Sequence, residues 1–323
     1  MESVLVTGGA GFIGSNIAEA LLAHGYRVVI IDDLSTGKMK NIIDLIESGN
    51  LKFIKGSILE SGLLRSIIKS ENISLVSHQA AISSVAKSIA DPVKTMETNV
   101  AGTTSLFYIA AEYGCKRIVF ASSSSIYGDS PELPKRETMA PCPKSPYAMS
   151  KAAKEMIGSV FSSLYGIDII GLRYFNVYGK RQDPASDYAA VIPKFITKAL
   201  ENEPIPIEGD GSQTRDFIYI DDVVNANLRA LIGDNISGNI FNVANGEQTS
   251  ILELAMTIIE ITGSKSEIVF LPPRIGDIRN SVGDTEYAIR NLGHSNKFNI
   301  KKGLKVTTEW YKESCQMSTQ YVG

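Results

Sequence analysis

The sequence predicts an α/β fold: a doubly wound parallel sheet with helices on both faces, joined to a second, smaller α/β domain. Three observations predict it. Short β-branched runs alternate with longer helical patterns through the first half of the chain. Those runs are near-continuously apolar, as strands covered on both faces are. From about Asn176 the alternation loosens, and Gly, Pro and Asp punctuate residues 179–186, 204–212 and 272–276.

In chain order, strands are expected at 3–7, 27–32, 51–55, 75–79, 117–122 and 168–174, with helices at 13–24, 93–113 and 146–165. Such alternation builds a parallel sheet. Beyond it, helices are expected at 189–202, 220–231 and 251–262. The expected division places residues 1–176 and about 216–245 in the first domain, and 177–215 and about 246–323 in the second. Irregular segments beside a rigid sheet commonly carry ligand contacts.

Composition narrows the class. The chain has 323 residues, 44% of them hydrophobic and 21% charged, an ordinary globular balance. A net charge of −3 leaves no basic footprint for nucleic acid. Cys115, Cys142 and Cys315 are scattered without metal-ligand spacing, and an odd, sparse set suits a reducing compartment. No apolar run is long enough to cross a membrane, and Val4-Leu5-Val6 opens a strand without a signal-peptide pattern. The expected location is cytoplasmic.

Gly8, Gly11 and Gly14 follow the first strand and open a helix through Phe12 and Ile13. Glycines there permit a tight turn and close backbone approach to a pyrophosphate, and the helix N-terminus offers N–H groups to the anion. A glycine triplet alone is also an ordinary tight turn. The second strand ends at Asp32, 21 positions beyond Gly11. That is the spacing of an acid that binds a ribose diol. A carboxylate there repels a 2′-phosphate, so NAD is expected rather than NADP. Asp33 reinforces the charge, and is as well explained as a solvated turn acid.

Tyr147 and Lys151 stand four apart at the start of the helix that Pro146 opens. Positions i and i+4 share a helix face. A nearby ammonium favours phenolate, which prepares an acid and base for an alcohol proton. By itself the pair reads as a surface pair. The strand at 117–122 runs into Ser123-Ser124-Ser125-Ile126-Tyr127-Gly128, at the end where open sheets place ligands. By itself a serine run reads as a loop. His24, His78 and His294 read as structural, and Cys142 as a loop cysteine.

Together, the glycine pattern, the serine run before Tyr127-Gly128, and Tyr147-x-x-x-Lys151 resemble the extended short-chain dehydrogenase/reductase family. Leu172-Arg173-Tyr174-Phe175-Asn176-Val177-Tyr178-Gly179, Gly209-Asp210-Gly211, Arg215-Asp216-Phe217-Ile218-Tyr219-Ile220-Asp221-Asp222 and Arg274-Ile275-Gly276-Asp277 resemble its nucleotide-sugar epimerase branch. The resemblance spans nearly the whole chain. It implies a Rossmann domain with bound NAD, and a catalytic set of Ser123, Ser124, Tyr147 and Lys151. It places Gln79, Ala80 and Ala81 along the cofactor, Asn99 as a further cofactor contact and Tyr174 near the nicotinamide. It implies a UDP-sugar substrate held by Ser83, Ser84, Asn176, Ala190, Val191, Lys194, Phe195, Arg215, Arg274 and Asp277. Two arginines suit a diphosphate through their planar forks of donors. On the residues alone, surface ion pairing with Asp216 and Asp277 is the better reading of them. One departure stands out: after Lys55-Gly56, where the family carries an aspartate for the adenine, this chain has Ser57 and Ile58.

The resemblance further implies a UDP-sugar 4-epimerase working through a transient 4-keto sugar. Branch members that dehydrate or decarboxylate carry an acid at the serine run, and none is present here. A UDP-glucuronate-type 4-epimerase, a C3 epimerase and a 4,6-dehydratase stay open as alternatives. So does a protein that binds NAD without catalysis, although serine, tyrosine and lysine are all intact. Ser281 falls where the family borders the sugar 2-substituent. A small residue there suggests UDP-N-acetylglucosamine and UDP-N-acetylgalactosamine, with UDP-glucose and UDP-galactose as further substrates. The helices at 93–113 and 146–165 resemble those that pair into a homodimer. No metal is expected.

Overall fold

The structure is a computed structural model that describes residues 2–184, 190–234, 236, 240–273 and 279–320. Its core is one sheet of seven parallel strands: β1 (Ser3–Thr7), β2 (Arg27–Asp32), β3 (Leu51–Lys55), β4 (Ile73–His78), β5 (Arg117–Ser123), β6 (Asp168–Tyr174) and β7 (Ile240–Val243). Their order is β7-β6-β5-β4-β1-β2-β3, every pair parallel. The chain winds outward from β1 to β3, then crosses to β4 on the other side. The crevice between the ends of β1 and β4 is therefore the switch point where such sheets bind ligands.

Burial follows the pleat. Val4 and Val6 of β1 face one apolar cluster with Ile17, Leu21 and Ile30, while Leu5 faces another with Val29, Leu64 and Phe107. Both faces are covered, which is why the strands read as unbroken apolar runs. β4 begins two residues before the expected 75–79 and leaves Gln79 in the following loop. β5 runs one residue beyond 117–122, because Ser123 still pairs with Tyr174 of β6.

The helices used below are α1 (Phe12–Ala23), α2 (Thr103–Glu112), α3 (Pro146–Tyr165), α4 (Val191–Leu200), α5 (Ile220–Ile232) and α6 (Ile251–Thr262). The helix expected over 93–113 is interrupted. A π-helical segment, Glu97–Gly102, precedes α2, and the Thr103 and Thr104 hydroxyls donate back to the carbonyls of Asn99 and Val100. Such bulges often mark functional positions. α3 starts where Ser145 accepts from the Ala148 N–H (3.1 Å) with Pro146 in the first turn, and it stops at left-handed Gly166. α4 starts at Val191, two residues later than expected, with Ala190 as its N-cap.

Beyond the sheet, three two-stranded pairs join Asn176–Tyr178 to Phe217–Tyr219, Thr214–Arg215 to Thr249–Ser250, and Ile205–Glu208 to Ile268–Leu271. A buried carboxylate stands between the first two pairs, linking the strands Thr214–Arg215 and Phe217–Tyr219. Asp216 accepts from the N–H groups of Asn245 (2.7 Å), Gly246 (3.0 Å) and Gly283 (3.1 Å). Among the described residues no helix is long and apolar enough to cross a membrane.

Candidate functional site

The cleft begins at the turn after β1. Gly8 has φ +66°, and a Cβ there would lie 2.8 Å from the backbone of Ala80. A Cβ on Gly14 would lie 2.2 Å from the Gly8 carbonyl. These are backbone atoms that cannot swing aside, so the turn admits only glycine at both positions. Gly11 caps α1 without a side chain, leaving the first-turn N–H groups at Phe12 and Ile13 for an anion.

Asp32 ends β2 almost fully buried, its two oxygens accepting from Ala10 N–H (2.9 Å) and Leu34 N–H (2.8 Å). Burial pushes its carboxyl up, and the two donors oppose that. Asp33 is exposed and accepts from its own turn at Ser35 N–H (2.9 Å). Ser57 makes a local turn, its N–H on Glu60 (2.7 Å) and its oxygen accepting from Leu59 N–H (3.3 Å). Ile58 is buried against Gly102. The glycine cradle, the bare helix end and the acid together fit a dinucleotide, with the phosphates on α1 and a ribose on Asp32.

On the other wall stands the loop after β4. Gln79 accepts from the Tyr174 hydroxyl (3.1 Å) and donates to Asn227 (3.2 Å), so the amide and the phenol arrive pre-positioned. Ala80 packs on Gly8. Beyond Ala81, Ile82 is gripped by Asn99 at both its N–H (2.8 Å) and its carbonyl (3.0 Å). Asn99 is fully buried and spends its remaining donor on Ser150 (3.0 Å), so it acts on the cleft through the loop. Ser83 is exposed, and Ser84 caps the short helix Val85–Ala90.

The catalytic candidates converge. The half-buried Tyr147 hydroxyl is hydrogen-bonded to Ser123. Lys151 is buried, its Nζ 5.5 Å from the Tyr147 ring centre and donating to the Ala121 carbonyl (2.8 Å). Burial lowers Lys151 to about 8, opposed by the Glu155 carboxylate. Contrary to the expected ammonium effect, burial raises Tyr147 here, and the Ser123 hydrogen bond pulls the other way. Desolvation of the phenolate outweighs the attraction that spacing alone suggests. Ser124 opens the 3-10 turn Ser124–Tyr127, which the Ser123 oxygen caps through Ser125 N–H (3.2 Å).

Behind the serines lies a network that sequence reasoning missed. Glu155 accepts from the Ser122 hydroxyl and forms a bidentate pair with Arg173 (2.9 and 2.7 Å). Arg173 also donates to the Tyr127 hydroxyl (2.8 Å), which donates to Asn242 (2.6 Å). The residue types were visible, but their meeting across β5, β6, β7 and α3 was not.

Toward the C-terminal half, Asn176, Ala190, Val191, Lys194, Phe195 and Arg215 line one cavity of about 610 Å³. Val85, Pro206, Ile207, Glu208, Gln213 and Phe217 line it too and were not foreseen; of these Pro206, Ile207 and Phe217 are apolar strand residues that read as core. The expected Arg215–Asp216 ion pair is absent, since Asp216 serves the three backbone donors described above. Arg215 donates to the Thr214 carbonyl (2.8 Å). Ser281 is half-buried, next to Asn280, which bridges to Thr214. Arg274 and Asp277 lie outside the described residues.

Comparison with known proteins agrees with this geometry. Residues 4–244 match the NAD dependent epimerase/dehydratase family. A putative UDP-glucose 4-epimerase of Methanocaldococcus jannaschii is 39% identical over 312 residues, covering 96% of this chain and 99% of the relative. The solved UDP-N-acetylglucosamine 4-epimerase of Methanobrevibacter ruminantium, in complex with UDP-N-acetylmuramic acid, superposes with a TM-score of 0.92 at 37% identity, covering 97% of this chain and 99% of that one. The UDP-glucose 4-epimerase of Thermus thermophilus, in complex with NAD, gives 0.88 at 37% identity, covering 96% and 99%. The fold is thus that of these epimerases and the cofactor is NAD: the chain belongs to the NAD dependent epimerase/dehydratase family.

Proposed function

We propose that this protein is a UDP-sugar 4-epimerase of the isomerase class, acting on UDP-N-acetylglucosamine and UDP-N-acetylgalactosamine and, secondarily, on UDP-glucose and UDP-galactose. One observation carries it: the Ser123 hydroxyl meets the Tyr147 hydroxyl with Lys151 behind them, and the serine run holds no carboxylate to drive loss of water. Bound NAD supplies a hydride acceptor that later returns the hydride. Tyr147 takes the proton of the sugar 4-hydroxyl and gives it back, Ser123 and Ser124 hold that oxygen, and the Lys151 ammonium offsets part of the cost of forming a buried phenolate. The 4-keto sugar turns over between the two transfers. Residues 1–176 and about 216–245 hold the cofactor, and 177–215 and about 246–323 hold the UDP-sugar. The diphosphate lies toward Asn176, Lys194 and Arg215, whose cavity supports that placement. Ser281 supports the choice of acetamido sugars, because it leaves room at the 2-substituent.

The working form is a homodimer. α3 exposes an apolar stripe of Met149, Met156, Val160 and Leu164, and Val93 and Tyr108 are exposed on the helices before it. Such a stripe is costly to leave in water. Sedimentation at micromolar protein would read a monomer if the stripe has no second copy to cover it. The activity is tested by incubating the purified protein with a panel of UDP-sugars, without added cofactor, and following products by NMR. Interconversion at C4 is expected. Inversion at C3, loss of water, or no turnover would overturn the proposal.

A further inference from the structure

Lys154 lies one turn beyond Lys151 on α3 and is completely buried. Lysine is almost never fully buried without an acidic partner. Here its Nζ faces the Nε2 of His78 (3.3 Å), its sole polar partner among the described residues. His78 is equally buried, at the end of β4 just before the loop that flanks the cofactor.

The polarity of the surrounding hydrogen bonds can be worked out. Thr103 gives its single proton to the Asn99 carbonyl (2.7 Å), so toward His78 Nε2 (2.9 Å) it can only accept. Nε2 therefore carries the imidazole proton. Thr7 Oγ1 accepts from Ala80 N–H (3.2 Å), and its own proton goes to His78 Nδ1 (2.7 Å). An ammonium at Lys154 would then point N–H at N–H, with no lone pair to receive it. An amine instead offers its lone pair to the Nε2 proton, shared with Thr103.

We propose that Lys154 and His78 form an uncharged amine–imidazole pair that fixes the His78 tautomer and, through Thr7, holds the cofactor loop at Ala80. Lys154 is thus a positioning residue for NAD retention, whichever sugar the site takes. Burial drives both groups toward their neutral forms, and the Lys151 charge adds to this for each. The charged group facing the pair is Lys151 on α3; Glu155 acts on Lys151, and is itself engaged by Arg173 and Ser122. Protonating Lys154 would demand a lone pair at Nε2. The imidazole proton would move to Nδ1, the Thr7 hydroxyl would have to turn and take that proton on the oxygen that now holds Ala80 N–H, and the Ala80 anchor would loosen. Lys154 is held below its unfolded value, so protonation is the low-pH event. The anchor holds at high pH and fails as pH falls.

Two experiments test this. The first needs no variant: ¹⁵N NMR of histidine-labelled holoenzyme at about pH 8, with His24→Gln and His294→Gln assigning the other two rings. A neutral His78 with its proton on Nε2 is expected; an Nδ1 proton or an imidazolium overturns the proposal. The second follows release of bound NAD, by filtration and absorbance, as pH is lowered from about 8 to the edge of the folded range. Release should quicken roughly tenfold in the natural protein, about the worth of one buried hydrogen bond. Lys154→Met should reduce that change to under about twofold, and an unchanged pH response would overturn the pair. Adding Lys154→Met to Thr7→Val should then alter release less than about twofold, since the path through Thr7 is already cut. Fully independent effects would overturn that path.

Discussion

The Ser122 hydroxyl donates to the Glu155 carboxylate, so the serine run is tied to the same helix that carries Tyr147 and Lys151. Arg173 completes the clamp from β6, with both charged partners under a tenth exposed. Geometry between Ser123 and Tyr147 therefore depends on a buried ion pair that touches neither.

Glu155→Gln tests that dependence. Removing one partner of a buried pair leaves the Arg173 charge uncompensated, at about 3–5 kcal/mol. Denaturant titration should show that loss. Lys151 should also lose its ammonium at lower pH, because Glu155 is what opposes its desolvation. If the alkaline limb of kcat stays where it was, the clamp has no electrostatic reach to Lys151.

Tyr147→Phe should lower sugar interconversion by about 10²–10⁴-fold while the protein stays folded and NAD-loaded. NAD content is read from absorbance after denaturation, and turnover from NMR. Undiminished interconversion would remove Tyr147 from the chemistry. Full biological function with no turnover would favour a protein that binds NAD without catalysis.

Lys151, held near 8, sets a pH dependence whose sign is fixed. As pH rises through about 8 its ammonium is lost, so kcat should fall at alkaline pH. Stability moves the other way. The unfolded chain binds that proton more tightly, so burying Lys151 costs most below about pH 8 and eases up to the ordinary lysine value. A flat kcat profile from about pH 7 to 10 would contradict this assignment.

Ser281→Tyr should cut turnover of UDP-N-acetylglucosamine relative to UDP-glucose by about tenfold or more, through loss of room at the 2-substituent. Competition assays with both sugars read the ratio directly. An unchanged ratio would mean that another residue sets the pocket width.

What the sequence made legible was local. Gly8, Gly11, Gly14 and Asp32 follow one another at spacings set by a strand, a turn and a helix. Tyr147 and Lys151 share a face because of the helical period. Apolar runs marked the sheet because both faces are covered. What stayed hidden was joined over distance. Glu155 meets Arg173 only once α3 packs on β6. Pro206, Ile207 and Phe217 look like core until the cavity beside them is seen. Lys154 resembles any helix-surface lysine, and its burial beside His78 comes from the packing of α3 over the end of β4.

Asp216 has a consequence for the order in which the protein becomes competent during synthesis. The glycine turn and Asp32 lie within the first 32 residues. The carboxylate of Asp216 waits for donors 29, 30 and 67 residues further on. A ribosome must therefore release nearly the whole polypeptide before the sugar side can close. The glycine turn is made first, and the sugar side is the last part of the site to close.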